Sequence, residues 1–140
     1  MKRFLILFLI IIFVIGIFIG FNSTRHDRTT KNNFSYQTTQ IQIGTTTIVA
    51  EIADTPVKRE LGLSGRLALP ADRGMLFVYP EPAIQGFWMK DMHFPIDIIW
   101  FDVNKKIIGA TKNLRPESYP QVFYSPEPIK YALEINNKIY

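Results

Sequence analysis

Asp97 is the residue of this chain whose surroundings demand the most explanation. In the run Pro95-Ile96-Asp97-Ile98-Ile99-Trp100-Phe101, strand alternation puts it on one face with Ile99 and Phe101, opposite Ile96, Ile98 and Trp100. A carboxylate on an apolar strand face is costly without a partner, or its pKa rises. Arg59, Arg66 and Lys90 are the candidate partners, and an arginine suits best because its fork meets both oxygens. A structural ion pair, or a carboxylate holding backbone N–H groups, is the preferred role. The competing role is a perturbed acid in a cleft.

Other residue types offer weaker chemistry. Trp88 and Lys90 share one strand face, with Phe87, Met89 and Asp91 on the other, and an aromatic beside a cation is a seat for an anionic or sugar-like ligand. The plainer expectation is an apolar core with a lysine reaching past it to solvent. Tyr119 and Tyr124, in a proline-rich loop, are further ligand-binding candidates. His93 is the one histidine outside the polar segment after the apolar start, and beside Asp91 or Asp97 it would serve as a general base. Ser64, Ser118 and Ser125 are nominal nucleophiles, but none has the G-x-S-x-G setting of a nucleophile elbow. A lone histidine with carboxylates is not a zinc site, and Met75, Met89 and Met92 read as core filling. Gly62-Leu63-Ser64-Gly65-Arg66 is too short for a phosphate-cradling loop and reads as a turn. No metal and no cofactor are expected.

The elements that must position these residues are mostly short strands. Ile41 and Ile43 alternate with polar neighbours, Gly44 turns the chain, and Ile48, Ala50 and Ile52 share one face of the next strand, so Thr39–Ala53 predicts a hairpin. Asp54 or Thr55 caps a brief helix over Pro56–Leu61, which Gly62 ends. Strands are expected at Met75–Tyr79, stopped by Pro80-Glu81-Pro82, and at Phe87–Met92, Ile96–Val103, Lys106–Lys112 and Ile129–Ile135. Two apolar faces make Ile96–Val103 a central strand, and the proline-rich Asn113–Pro128 reads as a loop. The fold class is mainly β: a small sandwich or partly open barrel with one short helix.

The order Asp54-Thr55-Pro56, Arg59, Gly62-Leu63, Arg66, Gly74-Met75-Leu76-Phe77, then Phe87-Trp88-Met89-Lys90-Asp91-Met92 and Pro95-Ile96-Asp97-Ile98-Ile99-Trp100, resembles the DUF192 family over about Ile48–Ile135. Leu133-Glu134 is similar to the Leu-Glu near the family's end. The resemblance implies a jelly-roll-like β domain, often exported, with no assigned biochemical activity. Three departures stand out. Ser64 replaces a bulkier apolar residue, the proline-rich loop lacks the cysteines of some members, and the chain stops five residues after Ile135. A missing C-terminal segment, or a sheet closed differently, is the corresponding expectation.

The start of the chain is of another kind. Phe4–Phe21 holds 18 residues without a polar side chain. As a helix it spans roughly 27 Å, close to the hydrocarbon thickness of a bilayer. Only Gly20 offers a poor small-x-small cleavage site, so residues 1–21 are expected to be an uncleaved anchor with a cytoplasmic N-terminus. Gly16 and Gly20 form a G-x-x-x-G pair, read as incidental. Residues 22–35 read as a polar tether, leaving 36–140 as the domain. Of those 105 residues 48 are apolar, enough for one modest core. Residues 1–35 carry five basic side chains and one acidic, whereas 36–140 carry 11 of each. The basic pI belongs to the membrane-flanking segment, and nucleic acid is not an expected partner. The absence of cysteine excludes disulfides and thiolate metal sites.

Three functions are open at this point. The leading one is a membrane-tethered, extracytoplasmic and monomeric binding module, with a cleft rimmed by Trp88, Lys90 and the Tyr119–Tyr124 loop and with Arg59 and Arg66 as further contacts. The second is an envelope enzyme using Asp97, Asp91 and His93 as acid-base groups. The third is a purely structural domain. Neither the ligand nor a protein partner is legible.

Overall fold

The computed structural model describes residues 35–137. The expected anchor, and the expected tether up to residue 34, lie outside the described residues. Among the described residues no helix is long and apolar enough to cross a membrane.

Among the described residues eight strands and one short α-helix follow in the order β1 (Thr38–Ile43), β2 (Thr46–Ala53), α1 (Pro56–Leu61), β3 (Arg73–Ala83), β4 (Gly86–Trp88), β5 (Ile96–Phe101), β6 (Ile107–Leu114), β7 (Val122–Tyr124) and β8 (Ile129–Asn136), with a 3-10 turn at Pro116–Ser118 before β7. Six of them form one sheet in the order β1-β2-β3-β8-β5-β6, and β4 pairs with β7 as a separate ribbon. The sheet is not closed, since β1 and β6 end the order. All its pairings are antiparallel except β2 with β3, whose parallel register requires the long 54–72 crossover that carries α1.

Local chemistry accounts for most boundaries. Thr55 caps α1 through its side chain, accepting from the Lys58 N–H at 3.3 Å, and Pro56 occupies the first turn. Asp54 does not cap; it pairs with Lys58 Nζ at 3.1 Å. Gly62 stops the helix at φ 51°, a conformation that favours glycine. Asp102 Oδ1 accepts from the Asn104 and Lys106 N–H groups, which turns the chain before Val103 can extend β5.

Three expectations need correction. β3 does not stop at Tyr79 but runs on to Ala83, with the β8 register shifting between Val78 and Ala83; the prolines are tolerated in that irregular stretch. The Phe87–Met92 strand is only β4, because Asp91 turns at φ 55° and the Met92 N–H bonds back to the Met89 carbonyl at 3.3 Å. The Asn113–Pro128 loop contains β7, which pairs Val122, Phe123 and Tyr124 with Trp88, Phe87 and Gly86.

The large sheet buries both faces. One carries Met75, Phe77, Ile96, Ile98, Trp100, Ala132 and the β4 residue Phe87. The other carries Ile43, Ile48, Ala50, Ile99, Phe101, Leu133 and Ile135. β5, flanked by β8 and β6, is buried along its whole length, as its two apolar faces require.

Candidate functional site

Two carboxylates are buried in this sheet, and they meet different fates. Asp97 is 2 % exposed, and its Oδ1 accepts from the Asn113 backbone N–H at 2.7 Å. That N–H is available because β5 and β6 shift register between Ile96 and Ile98, opposing Asp97 with an extra residue; Asn113 itself sits at φ 54°. The expected arginine partner is therefore replaced by backbone. A carboxylate that meets a bulge N–H needs no cation to be held in place. Arg66 instead makes a two-pronged ion pair with Glu51, at 2.8 and 2.6 Å. That pair lowers the Glu51 pKa and raises that of Arg66 through the shared hydrogen bonds.

Glu134, on β8, has no comparable partner. It is buried, and its Oε2 finds no hydrogen-bond partner among the described residues. Met75 of β3 and Ile98 of β5 flank it in register, so apolar side chains stand on either side. Burial pushes its pKa up to about 8, and the Arg66 charge only partly opposes this. At neutral pH the group is mostly a neutral acid, a hydrogen-bond donor rather than a carboxylate. Gly74 places backbone close behind it: a Cβ there would lie 2.7 Å from the Glu134 carbonyl oxygen.

Glu134 lines a cleft of about 220 Å³ between α1, the turn after it, β3 and β4. Arg59 and Glu60 of α1 form one lip and Trp88 the other, with Phe77, Phe87 and Tyr79 as walls. Arg59 is fixed by Nη1, which donates to the carbonyls of Asp54 and Val78, both at 2.8 Å. No other partner meets its guanidinium hydrogens among the described residues, and its plane stacks 5.2 Å from the Tyr79 ring centre. Burial pushes the Tyr79 hydroxyl up to about 12, so it stays protonated. Ser64 also lines the cleft; its hydroxyl donates to the Lys90 carbonyl at 2.9 Å and keeps acceptor capacity. The Gly65 N–H to the Asp91 carbonyl, 2.8 Å, ties the same two turns together.

The structure gathers some of the sequence candidates and separates others. Trp88 is 50 % exposed, with Lys90 Nζ 6.0 Å above its ring and Tyr119 edge-on at 6.3 Å. The core expected around Trp88 is instead made by Phe87 and Met89, which the alternation placed on the other face. Tyr124 is exposed on β7 opposite Gly86, one of the cleft residues. Arg59 is in the cleft and Arg66 is engaged with Glu51. His93 and Asp91 are exposed, and among the described residues no hydrogen bond or ion pair joins either to Asp97. His93 borders a separate depression with Asn113, Arg115 and Glu117. Ser118 donates to the Arg115 carbonyl, and Ser125 bridges Gln85 and Glu127, so both serve loop geometry. Met75, Met89 and Met92 are buried in the apolar cluster. No group of three or more His, Cys, Asp or Glu side chains converges as a metal site among the described residues.

Glu134 is the residue the sequence argument passed over. The signal was present: Glu134 lies between Leu133 and Ile135, as Asp97 lies between Ile96 and Ile98.

Comparison with known proteins supports one family. The DUF192 model, described as an uncharacterized ACR, matches residues 38–140. A crystal structure from Sinorhizobium meliloti 1021, described as a candidate transcription regulator, is similar at 31% identity and a TM-score of 0.66, over 74% of this chain and 84% of that one. A protein of unknown function from Novosphingobium aromaticivorans DSM 12444 is similar at 25% identity and a TM-score of 0.65, over 73% of this chain and 74% of that one. No curated protein matches.

Proposed function

The chain belongs to the DUF192 family, and on that premise we propose that it is a small-ligand binding module held at the outer face of a membrane by its apolar N-terminal run. One observation carries the binding reading: a buried acid, Glu134, whose Oε2 has no hydrogen-bond partner among the described residues, at the lining of a cleft whose lips are an arginine and a half-exposed tryptophan. Buried polar groups are nearly always satisfied, and those that are not tend to serve a ligand or a reaction. The 18-residue apolar run and the basic residues at its ends support the tether. Equal numbers of basic and acidic residues over 36–140 give no electrostatic footprint for duplex DNA, so the regulator description of the Sinorhizobium relative is not extended to this chain.

The enzyme reading on Asp97, Asp91 and His93 gains no support from the geometry. Asp97 is occupied by a backbone N–H, while the other two are solvent-exposed.

The binding reading is tested by a thermal-shift screen of small polar compounds on the full chain in detergent. Hits should lose their stabilising effect in both Trp88→Ala and Arg59→Gln. Hits that stabilise both variants as much as the parent would refute the cleft. For the tether, Thr30→Cys in intact cells should react with a membrane-impermeant maleimide, in a background free of other cysteines. Protection until lysis would put the domain on the cytoplasmic side.

A further inference from the structure

The cleft does not stop at its tryptophan lip. The outward face of β4 belongs to Gly86 and Trp88, while Phe87 between them turns into the core. Across the ribbon their partners are Tyr124 and Val122, which share that outward face by register. Gly86 has no side chain to hold the opposite ring away. A Cβ there would meet two carbons of the Tyr124 ring at 3.0 and 3.3 Å. The ring therefore lies against the β4 backbone with its other side open, at 65 % exposure. Trp88, half exposed, and Tyr119, 46 % exposed and edge-on to it, continue the same surface. Contiguous exposed aromatic surface beside a cleft marks an interaction site.

The polar groups of the cleft narrow what can cover it. Arg59 keeps guanidinium hydrogens free, and the Glu60 carboxylate has no hydrogen bond or ion pair among the described residues. Ser64 keeps acceptor capacity, and Glu134 Oε2 is unpartnered among those residues. Donors and acceptors of both signs thus line one space. A ligand with a single charge meets a like charge at Arg59 or at Glu60. A zwitterion would match those two but leave the Tyr119 and Tyr124 rings bare. A proline-rich peptide would use the rings but lacks the N–H groups that the acceptors need. A hydroxyl both donates and accepts, so it serves Arg59, Glu60 and Ser64 alike, and it serves Glu134 with or without a proton. A sugar carries hydroxyls around the edge of a ring whose C–H faces are apolar, which fits aromatic faces set beside a polar cleft.

We infer that the cleft and the aromatic face beside it take a neutral oligosaccharide, one sugar unit hydrogen-bonded in the cleft and the next stacked on Trp88 and Tyr124. This rests on the reading that the cleft binds a small ligand. At about 220 Å³ the cleft is smaller than a site for a drug-sized molecule, so it holds one unit and the rest of the chain lies outside, over the ribbon. Binding makes and breaks no covalent bond.

The test uses the full chain, labelled with ¹⁵N, in dodecylphosphocholine, a detergent without a sugar headgroup. The probes are cellotetraose, chitotetraose and maltotetraose with their monosaccharides, and against them phenylalanine, benzoate and a decaproline peptide. At least one tetrasaccharide should shift the Gly62 and Ser64 amides and the Trp88 indole, whose residues all line the cleft. Its affinity should exceed that of its monosaccharide by about five- to tenfold, the worth of one further ring on an aromatic face. Trp88→Ala, read at the two amides, should weaken the tetrasaccharide by about tenfold or more. Tyr124→Ala should cut the gain from length to under about twofold. Gly86→Ala keeps Tyr124 but pushes its ring off the strand, and should do the same. No binding by any tetrasaccharide, binding without a gain from length, or a gain that survives both Tyr124→Ala and Gly86→Ala overturns the inference. If phenylalanine, benzoate or decaproline moves those resonances while no saccharide does, the binding module stands and the saccharide assignment falls. If no probe moves them, both fall.

Discussion

Asp97 and Glu134 sit on neighbouring strands, one register step apart, and face opposite sides of the same sheet. Asp97 pairs across with Ile135, and Glu134 with Ile98. Both are carboxyl groups set between large aliphatic residues. What separates them is the backbone around them. Beside Asp97 the ladder is interrupted by a bulge, which releases the Asn113 N–H to the carboxylate. Beside Glu134 the pairing to β3 and β5 is regular, so no backbone donor is free to turn towards it. A regular ladder uses its own N–H groups; an irregular one lends them out. The satisfied carboxyl is therefore structural and the unsatisfied one faces the cleft.

The largest effect that tests this contrast is the dependence of stability on pH. Glu134 titrates at about 8 in the folded chain against an ordinary value of 4.5. Between those values the native state holds a proton that the unfolded chain has released. The stabilisation is fully present below the unfolded pKa and is lost as pH rises through the folded one. Across the window the loss amounts to roughly 4–5 kcal/mol at most, since each unit is worth about 1.4 kcal/mol. Glu134→Gln should remove that decline. Urea unfolding of the full chain at pH 5, 6.5 and 8 measures both slopes, and equal slopes would break the contrast by showing Glu134 ionises freely.

A smaller effect is expected on the other side of the sheet. Asp97→Ala leaves the Asn113 N–H without its partner in a mostly dry setting, at a cost of about 2 kcal/mol. An ion pair with arginine would have raised this to about 3–5 kcal/mol. Asp97→Asn should cost less, because the amide oxygen still accepts. The same unfolding measurement decides; a loss of under about 0.5 kcal/mol in Asp97→Ala would mean that the bulge stands without the carboxylate.

These two residues also mark how far the sequence could be read. The helix at Pro56–Leu61 and the hairpin before it were legible because caps, proline and glycine act locally. The faces of β5 were legible because alternation survives any partner. The bulge opposite Asp97 was not, since it depends on how β6 registers against β5, a non-local choice. The ribbon that carries Trp88 depends on β7, whose three residues lie in a stretch that reads as loop. Glu134 was missed for a related reason. Its isolation among Leu133 and Ile135 was visible, but the cleft beside it is built by α1, β3 and β4 brought together only by the fold.

The smallest expected change in stability belongs to Trp88, and its size is what gives it value. The ring is half exposed, with one edge contact to Tyr119 at 6.3 Å and Lys90 Nζ 6.0 Å away. An edge-on aromatic contact is worth about 0.5–1.5 kcal/mol when buried and less when half-solvated. Trp88→Ala should thus cost under about 1 kcal/mol, in the range of ordinary surface changes. The apolar core does not depend on it, since Phe87 and Met89 fill that role from the alternate positions. If the cleft is the site, this near-silent substitution should abolish ligand stabilisation while Asp97→Ala, which costs more stability, leaves it intact. Unfolding midpoints with and without a saturating ligand read both quantities in one experiment. A large loss of stability in Trp88→Ala would instead make the tryptophan a structural brace, and the contrast between a satisfied face and a working one would lose its lip on the working side.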